Sequence, residues 1–144
     1  MKNKIHFIIN SRSEKALTEL LKQLALDPFW QETHDCFLWK SLYKGHALEL
    51  TRKAIQDNTS LVIACGGDGT INEIARYLVD TAIPLGVIPL GSGNGVARHF
   101  KIPLNIKGAL AVLREMHSVV MDAGLANQRF FLSNMGVSFD SEFI

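Results

Sequence analysis

The hydrophobic positions along the chain form two alternating patterns. Short, mostly apolar runs at Ile5–Ile9 and Leu61–Cys65 are typical of strands buried in a parallel sheet. Between such runs, apolar residues recur every three or four positions, which predicts amphipathic helices. One such helix ends at Asp27 and Pro28, a weaker strand spans residues 34–39, and another helix ends near Asp57. This alternation predicts an α/β fold, a doubly wound and mostly parallel sheet with helices on both faces.

Two glycine-rich segments directly follow two of the predicted strands. The first, Gly66–Thr70, comes after the strand over 61–65 and before a helical stripe that starts at Ile71. The second, Gly91–Gly95, comes after a strand over 83–90 and before short helical patterns over 96–100 and 106–116. Ligands of open α/β sheets bind beyond the carboxyl ends of the strands, and helix N-termini favour phosphate oxygens. Glycine lets the backbone approach a ligand closely, so the two segments together predict a polyphosphate site.

Asp68 is the candidate for chemistry in the first glycine segment. A carboxylate there could bind Mg²⁺ or accept a proton, and it could also simply cap the helix that follows. Thr70 and Glu73 fit a capping box, as do Ser11 and Glu14 at the first helix. Either glycine segment taken alone is also compatible with a plain turn.

Composition narrows the class of protein without naming a function. The 144 residues carry 15 Lys and Arg against 14 Asp and Glu, a formal charge of +1, so no broad field for nucleic acid exists. No apolar stretch approaches the roughly 18–20 residues that a membrane span needs. Cys36 and Cys65 form no CxxC pair and the N-terminus resembles no secretory signal, so we expect reduced thiols and a cytoplasmic location.

Several common sites are absent from the sequence pattern. Neither glycine segment carries the Gly-Lys-Ser/Thr of a P-loop, and neither is a dinucleotide fingerprint in the first βα turn. The spacing of the histidines and cysteines predicts no zinc site. Ser92 lies in Gly-Ser-Gly-Asn-Gly, which is not the nucleophile elbow of a hydrolase.

The segments Gly66–Glu73 and Pro89–Arg98 together resemble the diacylglycerol kinase catalytic-domain family, which includes sphingosine kinases and bacterial lipid kinases. The first motif is shared with NAD kinases, whereas the second, at this spacing, favours the lipid kinases. Ser41–Ala47 is similar to a short family segment that ends in His-Ala. The resemblance implies transfer of the γ-phosphate of ATP to a lipid hydroxyl with Mg²⁺, and peripheral contact with the inner face of the membrane.

The resemblance also implies roles for particular residues. Asp68 would be the catalytic and metal-binding acid, and Asp140 would lie near the lipid headgroup. The residues that would contact the nucleotide lie at the end of the second strand and in the two glycine segments: Ser41, Gly66, Gly67, Asp68, Gly69, Thr70, Ile71, Asn72, Glu73, Gly91, Ser92, Gly93 and Asn94.

The end of the chain follows a different pattern. From Val119 onward, strand-like runs and turns replace the helical period, which predicts residues 1–122 as the nucleotide domain and 123–144 as the first strands of a truncated β-rich lipid domain. We expect the isolated chain to have little or no kinase activity, since family carboxylates from the rest of that domain are absent. An exposed half-domain could self-associate through its unpaired strand edges.

The sequence departs from the family at Asn10–Ser13, and Gly95 replaces a common Asp. The segment Ser92-Gly93-Asn94 is closer to the sphingosine kinase version, which leaves the lipid open. Two alternatives stay open: an NAD kinase-like enzyme, against which the Gly91–Asn94 loop argues, and a nucleotide-binding regulatory module without catalysis.

Overall fold

The computed structural model describes residues 2–10, 14–120, 124–126 and 129–131. Four parallel strands form the central sheet in the order β2-β1-β3-β4. Their bounds are β1 Asn3–Asn10, β2 His34–Ser41, β3 Leu61–Gly66 and β4 Leu85–Pro89. The predicted parallel α/β sheet is therefore confirmed.

Six helices connect or follow these strands within the described residues. They are α1 Glu14–Leu26, α2 Pro28–Glu32, α3 His46–Gln56, α4 Asp68–Leu78, α5 Gly95–His99 and α6 Ile106–Arg114. The short α2 was not predicted, because Asp27 and Pro28 indicated only the end of α1. Asp27 instead caps a new helix by accepting the N–H of Phe29 at 3.0 Å, with Pro28 at its first position.

The helices cover both faces of the sheet, as predicted. Side chains alternate along β1, so that Phe7 faces α1, α2 and α6 while Ile8 faces α3 and α4. Each face has its own apolar core, and β3 is buried over its whole length. Ile102 packs against both cores, where the chain passes from α5 to α6 around the β4 edge.

The last described residues differ from the predicted pattern in part. Residues 119 and 120 were expected in a strand, but they have no regular structure and are exposed. An antiparallel pair follows, β5 Gly124–Ala126 and β6 Arg129–Phe131. The remainder of the predicted β-rich segment, and the capping pair that involves Ser11, lie outside the described residues. The domain boundary at residue 122 stays a prediction.

Candidate nucleotide site

The sheet reverses its winding between β1 and β3. From β1 the chain goes outward to β2 and then crosses back to β3 on the other side. Such a switch point leaves a crevice at the carboxyl ends of the two strands. Asn10, the last residue of β1, spans it by donating its Nδ2–H to Thr70 Oγ1 at 3.2 Å.

The two glycine segments touch each other directly at this end of the sheet. A Cβ built on Gly91 would lie 2.5 Å from the Cα of Gly67, and one built on Gly67 would lie 3.1 Å from the Cα of Gly91. Neither position has room for a side chain while the backbones stay in place. The two segments therefore meet at adjacent strand ends, and the nucleotide site that they would form stays a prediction.

Asp68 connects the first glycine segment to the helix that follows the second. Its Oδ2 accepts the N–H of Gly95 at 2.8 Å, and its Oδ1 accepts the N–H of Val96 at 3.0 Å. Asp68 thus caps α5, which lies 27 residues further along the chain, and not its own helix α4. The N-cap of α4 is Gly67, which makes no side-chain capping bond.

Asn94 shapes the second segment from within. It is buried, with 6% of its surface exposed, and it has left-handed backbone geometry at φ 53°. Its Oδ1 accepts the N–H of Gly91 at 2.9 Å, and its Nδ2 donates to the Gly91 carbonyl at 2.8 Å. Asparagine tolerates this conformation better than most residues, so Asn94 closes the loop while Ser92 and Gly93 stay exposed.

The first turn of α4 is open on its outer side. Its leading N–H groups have no intrahelical acceptors, and α4 has 11 residues whose dipole favours an anion there. A Cβ on Gly69 would meet no atom within 4 Å, whereas one on Gly66 would lie 2.9 Å from the Thr70 side chain. Packing inside the fold therefore explains why residue 66 is a glycine, but it does not explain why residue 69 is one.

The capping box predicted for Thr70 and Glu73 is wrong. Because α4 begins at Asp68, Thr70 is already its third residue and is buried. Ile71 is also committed to the fold: its side chain is fully buried and its N–H bonds to the Gly67 carbonyl at 3.1 Å. Asn72 and Glu73 follow on the same helix and are half-buried.

The remaining predicted residues are less closely grouped. Ser41 ends β2 and pairs in register with Asn10, so it lies at the same end of the sheet as the glycine segments. Just beyond it, the Tyr43 ring stacks on His46 at a centroid distance of 4.2 Å. Asp140 lies outside the described residues. Sequence reasoning did not identify the Asn10 contact with Thr70, since nothing in the local pattern indicates it.

The described residues include no group of three or more His, Cys, Asp or Glu side chains that could hold a metal ion. Asp68 lies between the two glycine segments, and its two accepted N–H bonds leave lone pairs on both oxygens. Mg²⁺ usually keeps several waters and binds one or two carboxylates together with substrate phosphates. The described residues therefore fit a metal that arrives with a phosphate ligand, and among them no protein cage for a metal is formed.

The family model of the diacylglycerol kinase catalytic domain matches residues 4–126. The chain belongs to this family. A diacylglycerol kinase from Staphylococcus aureus is 33% identical over 135 residues, which are 92% of this chain and 43% of that protein.

Solved structures give the same result. A Bacillus anthracis protein assigned as a diacylglycerol kinase superposes with a TM-score of 0.77 at 27% identity, covering 90% of this chain and 45% of that one. A second structure from the same organism gives a TM-score of 0.76 at 26% identity, covering 90% and 48%. The chain thus spans less than half the length of these relatives. None of the described helices is long and apolar enough to cross a membrane.

Proposed function

We propose that this chain is the nucleotide-binding part of an ATP-dependent lipid kinase. The observation that carries the proposal is the backbone contact between Gly67 and Gly91 at the switch point of the sheet. It joins two strand-terminal loops with available N–H groups into one surface beside Asp68. Membership of the diacylglycerol kinase catalytic-domain family supports phosphoryl transfer as the reaction.

Phosphoryl transfer asks a protein mainly to position its substrates and to neutralise charge. The bond between the γ-phosphorus and the β,γ-bridging oxygen of ATP breaks, and a bond from the lipid hydroxyl oxygen to that phosphorus forms. The hydroxyl proton leaves to a base, and ADP is released. In the proposal, the exposed first turn of α4 and the N–H groups of Ser92 and Gly93 bind the phosphates.

Asp68 is the residue that would hold Mg²⁺, through lone pairs that its bonds to Gly95 and Val96 leave available. When bound, the ion would neutralise part of the phosphate charge. We assign Ile71 a structural role, because its side chain is buried and its N–H is bonded to the Gly67 carbonyl. Ser41 would reach the nucleotide from the end of β2.

The relatives are about twice as long as this chain. The whole protein would act on a lipid at the inner face of the membrane by peripheral contact. Its catalysis would need groups that this chain lacks, so we expect the 144-residue chain to bind ATP and to transfer little or no phosphate. The two alternatives are an NAD kinase-like enzyme and a regulatory module that binds nucleotide without catalysis. The lipid itself stays open.

The test is a transfer assay with γ-labelled ATP and Mg²⁺ on the whole protein. One arm offers diacylglycerol, sphingosine and related lipid alcohols in mixed micelles, and another offers NAD. Labelled lipid would support the proposal, and labelled NADP would replace it with the NAD kinase reading. ATP binding by calorimetry without any transfer would favour the regulatory module. Absence of ATP binding would reject all three readings.

A further inference from the structure

Arg98 lies beside the second glycine segment with most of its hydrogen-bonding capacity unused. It is exposed in the last turn of α5, and its Nε–H donates to the Gly93 carbonyl at 2.8 Å. No carboxylate among the described residues forms an ion pair with it. The four N–H groups on its two terminal nitrogens therefore lack an acceptor within the described part of the chain.

The charge around Arg98 is unusual for this chain. Residues 81–114 contain four Lys and Arg but no Asp or Glu, although the whole sequence carries only +1. Arg98, His99 and Lys101 are all exposed in this stretch. The nearby acid on the facing loop, Asp68, already accepts two backbone N–H groups from the start of α5. A bound anion at the second loop would lie beside the Arg98 guanidinium, while the Asp68 carboxylate is already hydrogen-bonded to two backbone N–H groups.

We propose that Arg98 is a phosphate-binding residue of this site. Its Nε bond to Gly93 fixes the guanidinium against the loop, and the end formed by the two terminal nitrogens stays available for a bidentate contact. The N–H groups of Ser92 and Gly93, which have no acceptor among the described residues, add donors on the same loop. The inference rests on the proposed function and adds a residue to it.

Arginine suits this double task better than lysine does. A planar guanidinium can bind a carbonyl through Nε and a phosphate through the other two nitrogens at the same time. An ammonium group offers a point charge without that fixed fork. The phosphate could belong to the triphosphate tail of a nucleotide or to an anionic lipid headgroup, and the two sources need separate arms in the test.

The experiment measures ligand binding by the whole protein with four variants: Arg98→Ala, Arg98→Lys, Arg98→Gln and the control Arg76→Ala. Arg76 is exposed in the last turn of α4, at the opposite end of that helix from the glycine segments. Calorimetry with inorganic triphosphate, ATP and adenosine forms the first arm. Sedimentation with vesicles of phosphatidylglycerol and phosphatidylcholine, compared with phosphatidylcholine alone, forms the second. Thermal melting of every variant checks the fold.

A lost charge-assisted contact should weaken triphosphate and ATP binding by about tenfold or more in Arg98→Ala, with adenosine unchanged. Arg98→Gln keeps an N–H donor without the charge and should lose as much, whereas Arg98→Lys should recover part. A loss confined to anionic vesicles would assign the phosphate to the lipid. If the Arg98 variants bind like Arg76→Ala in both arms while ATP still binds, Arg98 only holds Gly93 and the inference is wrong. If the wild type binds neither ATP nor triphosphate, both the inference about Arg98 and the proposed function are rejected.

Discussion

The Oδ1 atom of Asp68 accepts the backbone N–H of Val96 at 3.0 Å, across 28 positions of sequence. Together with the bond to Gly95, this contact fixes the start of α5 to the start of α4. The two glycine segments therefore keep their relative position through a side chain as well as through their backbone contact. Asp68 therefore has a structural role in addition to the metal-binding role that we propose for it.

Asp68→Asn separates these two parts. The amide keeps one oxygen acceptor but turns an N–H₂ group toward a backbone N–H, so the variant should lose about 1 kcal/mol of folding stability. ATP·Mg²⁺ binding should weaken more than binding of ATP without Mg²⁺. The measurements are thermal melting and calorimetry. Asp80→Asn is the matched control, because Asp80 is exposed just after α4 at φ 65°, where asparagine is well tolerated. Equal losses with and without Mg²⁺ would leave Asp68 a purely structural role.

Gly91→Ala tests the contact between the loops. The added methyl would lie 2.5 Å from Gly67 Cα, so one backbone must move, at a cost of about 1–3 kcal/mol. ATP affinity should fall because the two loops no longer form one surface. Gly93→Ala is the control for stability within the same loop, since its Cβ would come no closer than 3.8 Å to Asp68 Oδ2. Similar melting temperatures for the two variants, or a wild-type ATP affinity in Gly91→Ala, would contradict the interpretation.

The meeting of the two glycine segments could be predicted from the sequence, but the side-chain hydrogen bonds that hold them could not. Parallel strands place their carboxyl ends together, so Gly66–Thr70 and Gly91–Gly95 were expected to meet. The bond from Asp68 to α5 and the contact from Asn10 to Thr70 join distant parts of the chain, and no local pattern encodes them. The helix α2 was missed for a different reason, because five residues are too few to show a helical period.

Gly69→Ala should separate stability from binding. A Cβ there meets nothing within 4 Å, and alanine is favoured over glycine in helices, so stability should rise by about 0.5–1 kcal/mol. ATP affinity should nevertheless fall, because the methyl group would occupy the open space where a phosphate approaches the first turn of α4. Thermal melting and calorimetry on the same preparation measure the stability and the ATP affinity. Unchanged ATP affinity would mean that the ligand does not approach at Gly69.

A buried histidine on β1 predicts that the stability of the fold falls in acid. The His6 ring is fully buried and stacks on Phe37 at 4.9 Å, with Nδ1 at 2.8 Å from Thr59 Oγ1 and Nε2 at 3.1 Å from Asp57 Oδ2. Burial lowers the pKa of His6 from its ordinary 6.5, against the opposing effect of Asp57. The hydrogen bond from Lys4, helped by that from His6, lowers the pKa of the Asp57 carboxyl from 3.8.

Both shifts predict lower stability in acid, over different ranges. As pH falls through 6.5, the unfolded His6 takes up a proton more readily than the folded one, so the melting temperature should drop between pH 7 and 5. The contribution of Asp57 is present above pH 3.8 and is lost as pH falls below that value. His6→Gln removes the titration of His6. The drop in its melting temperature between pH 7 and 5 should therefore be smaller than that of the wild type. His99→Gln, at an exposed histidine, should keep the wild-type pH dependence. A wild-type slope in His6→Gln would exclude His6 as the origin of the acid sensitivity.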